Sequence, residues 1–295
     1  MTRSSYDEFE LFHENIAEFD LSVSAPPVVS RVSAPLTNGR NISALKWGAG
    51  EPRLVLVHGG GQNAHTWDTV ALALGVDLLA VDLPGHGHSS WNEDGDYPLE
   101  SMADDVALAL DEFAPNAEVV VGMSLGGLTS LMLAGRHARL VRNLILVDVT
   151  PGVTPAKVKA ITDFINGPQT FPSFDDLLRR TIEHNPTRSE SSLRRGILHN
   201  SVQLADGSWQ WRYDRRKPHR GRDETVLNQL WLVLGGLSCP FTLVRGSLSP
   251  VVDDEDVAEV MRRLPSANVR VVDGAGHSVQ GDRPLELTEI LRALL

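Results

Sequence analysis

Short apolar runs recur through most of the chain: RLVLVHGG (53–60), LLAVDLPG (78–85), EVVVGMS (118–124), LILVDVTP (144–151), FTLVRGS (241–247) and VRVVDGAG (269–276). Each is too brief for a helix, and each runs into Gly, Pro or Ser. Helix-period stretches lie between them, such as SMADDVALALDEF (101–113) and DVAEVMRRL (256–264). Continuous rather than alternating apolar strands need cover on both faces, so the pattern predicts a mostly parallel sheet flanked by helices, an α/β fold. Ahead of these runs, VVSRVSAPL and NISALKWG read as two strands forming an antiparallel edge. Phe9, Phe12, Ile16 and Phe19 recur at helical spacing, so an N-terminal segment (1–25) is expected to dock a short helix over 7–19 on the body.

The alternation breaks between about 152 and 236. This stretch is richer in charge and holds TFPSFDDLLRRTIEH and SSLRRGILHN, then SVQLADGSWQWRYD, which reads as a hairpin turning at Asp206-Gly207. An insertion between two sheet strands, where their C-terminal ends emerge, sits over the crevice in which open α/β sheets bind ligands. The expected organisation is a core of 26–151 and 237–295 with residues 152–236 as a cap or lid.

With 295 residues, 42% of them hydrophobic, the chain has ample material for such a core. A formal net charge of −11 disfavours nucleic acid and anionic membranes as partners. The basic cluster RYDRRKPHRGR (212–222) runs against that trend and has a plain reading as a solvated loop. The single Cys239 leaves no disulfide framework and no cysteine metal site. No apolar run reaches membrane-span length, and the acidic N-terminus lacks a secretory pattern, so a cytoplasmic location is expected.

The chemistry gathers at strand ends. Gly122-Met123-Ser124-Leu125-Gly126 places a serine in a glycine-flanked turn between a valine strand and a helix, the context of a nucleophile elbow; tight helix packing alone would be the plainer use of those glycines. A serine hydroxyl needs a base. Of ten histidines, His277 in GAGHSVQGDRP is the best placed, directly beyond the last strand-like run. His58, His86 and His88 sit in glycine loops, and His184, His199 and His219 fall in the insertion, where solvated or hydrogen-bonding roles are the simpler reading. His13, His65 and His137 have no strand end beside them. His86 and His88 lack a nearby third ligand, so no metal is expected. Asp148, at the end of LILVDV, is favoured as the acid that orients the imidazole, with Asp253 and Asp254 as rivals in what reads as the first turn of a helix. HGGGQN (58–63) supplies backbone for a developing oxyanion, with the N–H groups of Gly60 and Leu125 as donors. No G-K-[ST] follows that loop and the dinucleotide spacing fails, so no cofactor is expected.

Taken in order, HGGGQNAHTWDTV, VDLPGHGHSS, GMSLGG, LVDVTPG, LVRGSLSP and GAGHSVQGDRP resemble the α/β-hydrolase superfamily from about residue 40 onward. Their wording, with LRRGILHNSVQLADGSWQWRYD in the insertion, is similar to actinobacterial serine carboxylesterases with a helical cap. The resemblance implies the α/β-hydrolase fold, an eight-stranded and mostly parallel sheet, a serine mechanism on a small-molecule ester and no cofactor. It carries Ser124 as nucleophile, His277 as base, and Gly60 and Leu125 as oxyanion donors. The chain departs from the pattern at Ser249, where the superfamily leads one to expect aspartate. Trp209, Trp211 and Tyr213 would either wall an acyl site or pack the cap's own core. The same scaffold also hosts C–C bond hydrolysis and other acyl transfer, and a slow, ligand-binding receptor that keeps the triad is the reading from another class.

Overall fold

The computed structural model describes residues 6–23, 25–185, 188–217 and 223–295. Eight strands form one sheet: β1 (Val29–Pro35), β2 (Asn41–Trp47), β3 (Leu54–Val57), β4 (Leu78–Val81), β5 (Val119–Met123), β6 (Leu144–Val147), β10 (Phe241–Gly246) and β11 (Asn268–Val272). Three short strands, β7 (Thr170–Phe171), β8 (Ser201–Gln203) and β9 (Trp209–Trp211), form a separate antiparallel sheet in the order β7-β9-β8. The large sheet runs β1-β2-β4-β3-β5-β6-β10-β11. β1 and β2 pair antiparallel and β2 joins β4 antiparallel; the remaining pairs are parallel.

Both faces of the central strands are buried, as their unbroken apolar runs require. Along β6, Leu144 and Leu146 join the core under the helices Leu99–Phe113, Leu125–Arg136 and Glu224–Gly235, while Ile145 and Val147 join the core on the other face. That second core is closed by the helices Asp68–Leu74 and Pro284–Arg292. Side chains of successive strand residues point to opposite faces, so one four-residue run feeds both layers.

The N-terminal helix is shorter than expected, Phe12–Glu18, because Asp7 draws the chain into a turn: its side chain accepts from the Phe9 N–H and its carbonyl from the Glu10 N–H. Phe12 packs on Trp47 with ring centroids 4.9 Å apart, and Asn15 donates to the Thr69 hydroxyl at 2.9 Å, fixing this helix to the body.

Between β6 and β10 the chain forms the helices Lys159–Ile165, Phe174–His184, Glu190–Asn200 and Glu224–Gly235 with the small sheet. Three of these starts are set by local chemistry: the side chains of Ser173, Ser189 and Asp223 accept from backbone N–H groups of the first turn. The turn between β8 and β9 contains Gly207 at φ 89°, a left-handed conformation that glycine adopts without a side-chain clash. Of the basic cluster, residues 218–222 lie outside the described residues, His219 with them. No helix among the described residues is long and apolar enough to cross a membrane.

Candidate active site

β5 hands directly into the helix Leu125–Arg136 at Ser124, whose φ of 51° and ψ of −118° are costly for a residue with a Cβ, by about 1–3 kcal/mol. Glycines make the turn feasible. A Cβ on Gly126 would meet the Val57 carbonyl oxygen at 2.3 Å, and one on Gly122 would meet the Gly126 oxygen at 2.4 Å. The helix therefore starts jammed against the ends of β3 and β5, and the serine side chain is turned out of the sheet.

Ser124 Oγ lies 3.0 Å from His277 Nε2. His277 Nδ1 lies 2.7 Å from Asp148 Oδ2. Asp148 is fully buried, just past β6, and it too has a positive φ, 53°. Its backbone N–H donates to the Val244 carbonyl, which continues the β6–β10 ladder for one residue before the chain turns. The carboxylate is well satisfied: Oδ1 accepts from the Gly246 N–H at 3.0 Å, and Oδ2 accepts from the Ser249 hydroxyl as well as facing His277. Ser249 is itself positioned, its oxygen accepting from the Val251 N–H at 3.1 Å. A buried carboxylate without such partners would be strongly destabilised.

The structure does not bring Asp253 or Asp254 to His277. Asp253 caps the helix Asp254–Arg263 in a reciprocal capping box with Asp256 and pairs with Lys157 at 2.8 Å. Asp254 pairs with Arg245 at 2.7 Å on the surface.

The HGGG loop lies against the elbow. A Cβ on Gly59 would stand 3.3 Å from Ser124 Cβ, and one on Gly60 would stand 3.9 Å from Leu125 Cβ. Among the described residues neither the Gly60 nor the Leu125 N–H has a protein acceptor; the latter opens its helix, where amides have no intrahelical partner. The loop is held from three sides. Gln62 Oε1 accepts from the Gly59 N–H, His86 Nε2 accepts from the Gly61 N–H at 3.1 Å, and Asn200 Nδ2 donates to the Gly61 carbonyl at 2.6 Å. For His86 to accept there, its ring must be neutral. Burial, aided by the nearby His58, lowers its pKa to about 3.

A small apolar cavity of about 80 Å³ opens beside Ser124, Gly60 and Leu125. Its walls are Leu128, Val149, Val153, Val158, Ile161 and Ile165 among others, most of them from the stretch directly after β6. Trp209, Trp211 and Tyr213 do not line it. Trp211 and Tyr213 are buried in the insertion's own cluster with Phe171, Leu177 and Ile197, and Trp209 packs edge-on to Phe174. The two tryptophans thus follow the plainer reading of that aromatic alternation, while Tyr213 also borders a separate cavity shared with Gly60 and Leu125.

The roles of Gln62, His86, Asn200 and the Gly246 amide are not legible in the sequence. The glycine loop around His86 shows neither its acceptor role nor its partner, and nothing local marks Asn200, which reaches Gly61 from 139 positions away. Ser249 was visible as a departure but not as a partner of Asp148.

A serine, an imidazole and a buried carboxylate in line suit the chemistry of a hydrolase. Residues 54–290 match the alpha/beta hydrolase family, and the chain belongs to that family. It is 46% identical to esterase Rv0045c of Mycobacterium tuberculosis over 98% of this chain and 96% of that protein. A solved structure of that M. tuberculosis esterase, described for its inhibition by transition metals, superposes with a TM-score of 0.89 at 45% identity, covering 99% of each chain. The chain is also 32% identical to the 3-hydroxybutyrate-oligomer hydrolase of Cupriavidus necator, over 79% of this chain and 85% of that protein. The similarity to the mycobacterial protein, across nearly the full length of both chains, is what supports esterase activity.

Proposed function

We propose that this protein hydrolyses small carboxylic esters through an acyl-enzyme on Ser124. The observation that carries the reading is the continuous hydrogen-bonded line from Ser124 Oγ through His277 to Asp148. Ser124 Oγ attacks the ester carbonyl while His277 Nε2 takes its proton. Negative charge builds on the carbonyl oxygen, where the N–H groups of Gly60 and Leu125 receive it. The intermediate collapses, the alcohol leaves with the proton from His277, and water repeats the sequence on the acyl-enzyme. Asp148 holds the imidazole in the tautomer that presents Nε2 to the serine and stabilises the imidazolium.

The apolar cavity beside Ser124 receives the acyl group, and its small size suits a chain of few carbons. Residues 152–236 serve as a lid, since Val153, Val158, Ile161 and Ile165 supply walls to that cavity.

Turnover of p-nitrophenyl esters of increasing acyl length tests both points. Ser124→Ala is expected to lose at least about 10³-fold in kcat, and wild-type kcat/KM is expected to fall once the acyl chain outgrows the cavity. Equal rates for wild type and Ser124→Ala would end the serine mechanism. An undiminished rate on long acyl chains would end the cavity assignment.

A further inference from the structure

A second cavity, polar and about 160 Å³, lies apart from Ser124, between the N-terminal helix, the core and the helix Glu190–Asn200. His65, Asp68 and His199 stand together in its wall. We propose that these three side chains bind a divalent transition-metal ion of the zinc type, joining the core to the segment inserted between β6 and β10.

One donor atom from each residue lies within 4.8 Å of the others, and all three residues are buried. Asp68 Oδ2 is 2.8 Å from His65 Nδ1 and 3.7 Å from His199 Nε2, so a single carboxylate oxygen faces a nitrogen of each ring. Among the described residues neither His199 Nε2 nor Asp68 Oδ1 has a hydrogen-bond partner, and their side chains are only 3% and 2% exposed. Buried polar atoms rarely stay unpaired, and a carboxylate oxygen is among the costliest to leave so.

The outward nitrogens of the same rings are engaged. His65 Nε2 is 3.1 Å from Glu8 Oε2, and His199 Nδ1 is 2.5 Å from the Tyr6 hydroxyl. Histidines that hold metals normally donate their other N–H to a carboxylate or another oxygen, which fixes the tautomer and aims the lone pair. Glu8 and Tyr6 provide that second layer. Two imidazoles, one carboxylate and room for a water suit zinc and its neighbours; magnesium and calcium prefer oxygen ligands.

The two rings stack 3.8 Å apart and nearly parallel, at 10°. For both lone pairs to reach one ion, a ring must swing out of the stack, towards the cavity that borders it. Where the proton sits on His65 Nδ1 it leaves to solvent as the metal takes its place, and His199 takes the tautomer that donates from Nδ1 to Tyr6.

The test is equilibrium dialysis of the full chain against Zn²⁺ near neutral pH, with X-ray absorption on the loaded wild type. One ion per chain is expected, with two imidazoles and oxygen ligands in its first coordination sphere. His277→Ala is expected to keep that ion, because the triad lies elsewhere. His199→Gln and Asp68→Asn are expected to weaken binding by more than about 100-fold. Tyr6→Phe, which keeps every ligand, is expected to weaken it by about 10–100-fold. Loss of the ion in His277→Ala, a single imidazole at the metal, or no Zn²⁺ bound at millimolar concentration would overturn the assignment. So would full-strength binding by a folded His199→Gln. The absorption measurement needs only the wild type, so it decides even where a variant does not fold.

Discussion

β6 and β10 are adjacent parallel strands, and both end beside His277, yet only β6 delivers a carboxylate to it. After β10 the loop offers Ser249, whose hydroxyl donates to Asp148 rather than meeting the imidazole. The two strand ends thus divide one task. One supplies the charge, and the other supplies a hydroxyl and the Gly246 amide that keep it in place. An imidazole responds to the position of the carboxylate in space, not to the strand that carries it. What β6 needs for this is a turn immediately after Val147, and the positive φ of Asp148 provides it. Acids further along the β10 loop are committed elsewhere: Asp253 to its helix start and Lys157, Asp254 to Arg245.

This division of labour can be broken at several points. Asp148→Asn removes the charge and favours the wrong tautomer, so kcat for a short p-nitrophenyl ester is expected to fall by about 10²–10⁴-fold; a loss under threefold would mean that another acid orients His277. Placing the charge on the other strand is the sharper experiment. Ser249→Asp added to Asp148→Asn is expected to recover at least about 10-fold of that loss, and no recovery would show that the two ends are not interchangeable. Ser249→Ala alone deletes one hydrogen bond to a charged group, about 1.5–3 kcal/mol, and is expected to lower kcat by about 10-fold or somewhat more. Asp253→Asn is expected to leave kcat within about twofold while costing up to about 1 kcal/mol of stability through the lost ion pair with Lys157, read as a lower Tm, since Asn caps a helix as well as Asp.

The smallest effect concerns the loop opposite. The folded-state pKa of His86, about 3, lies below its ordinary value of 6.5, so the unfolded chain binds the extra proton between those values. Its contribution to stability is therefore complete above pH 6.5 and is lost as pH falls towards 3. Tm measured against pH is expected to decline less steeply over that window in His86→Gln than in wild type. A steeper decline in the variant would contradict a neutral, accepting His86.

The sheet was legible because its strands are uninterrupted valine and leucine runs, a pattern that only two-sided burial explains, as at Leu144–Val147. Ser124 was legible for a local reason too: a Cβ on either Gly122 or Gly126, the glycines of its own motif, would collide with neighbouring backbone. Periodicity is weaker at chain ends. It marked a helix over 7–19, while a single Asx turn at Asp7 delays the start to Phe12. It also placed Trp209, Trp211 and Tyr213 on one side of a strand without saying what that side faces. Contacts between distant segments leave no such trace. Ser249 on Asp148, Asn200 on Gly61 and His199 beside Asp68 join residues roughly a hundred or more positions apart, and no window along the chain contains both partners.

The most direct test of the account is to trap the acyl-enzyme. Wild-type protein mixed with an activated ester whose acyl group deacylates slowly, then acid-quenched and digested, is expected to carry one acyl group per chain on the peptide containing Ser124, and none in Ser124→Ala. Steady turnover with no acylated peptide, or with the acyl group on another side chain, would contradict it.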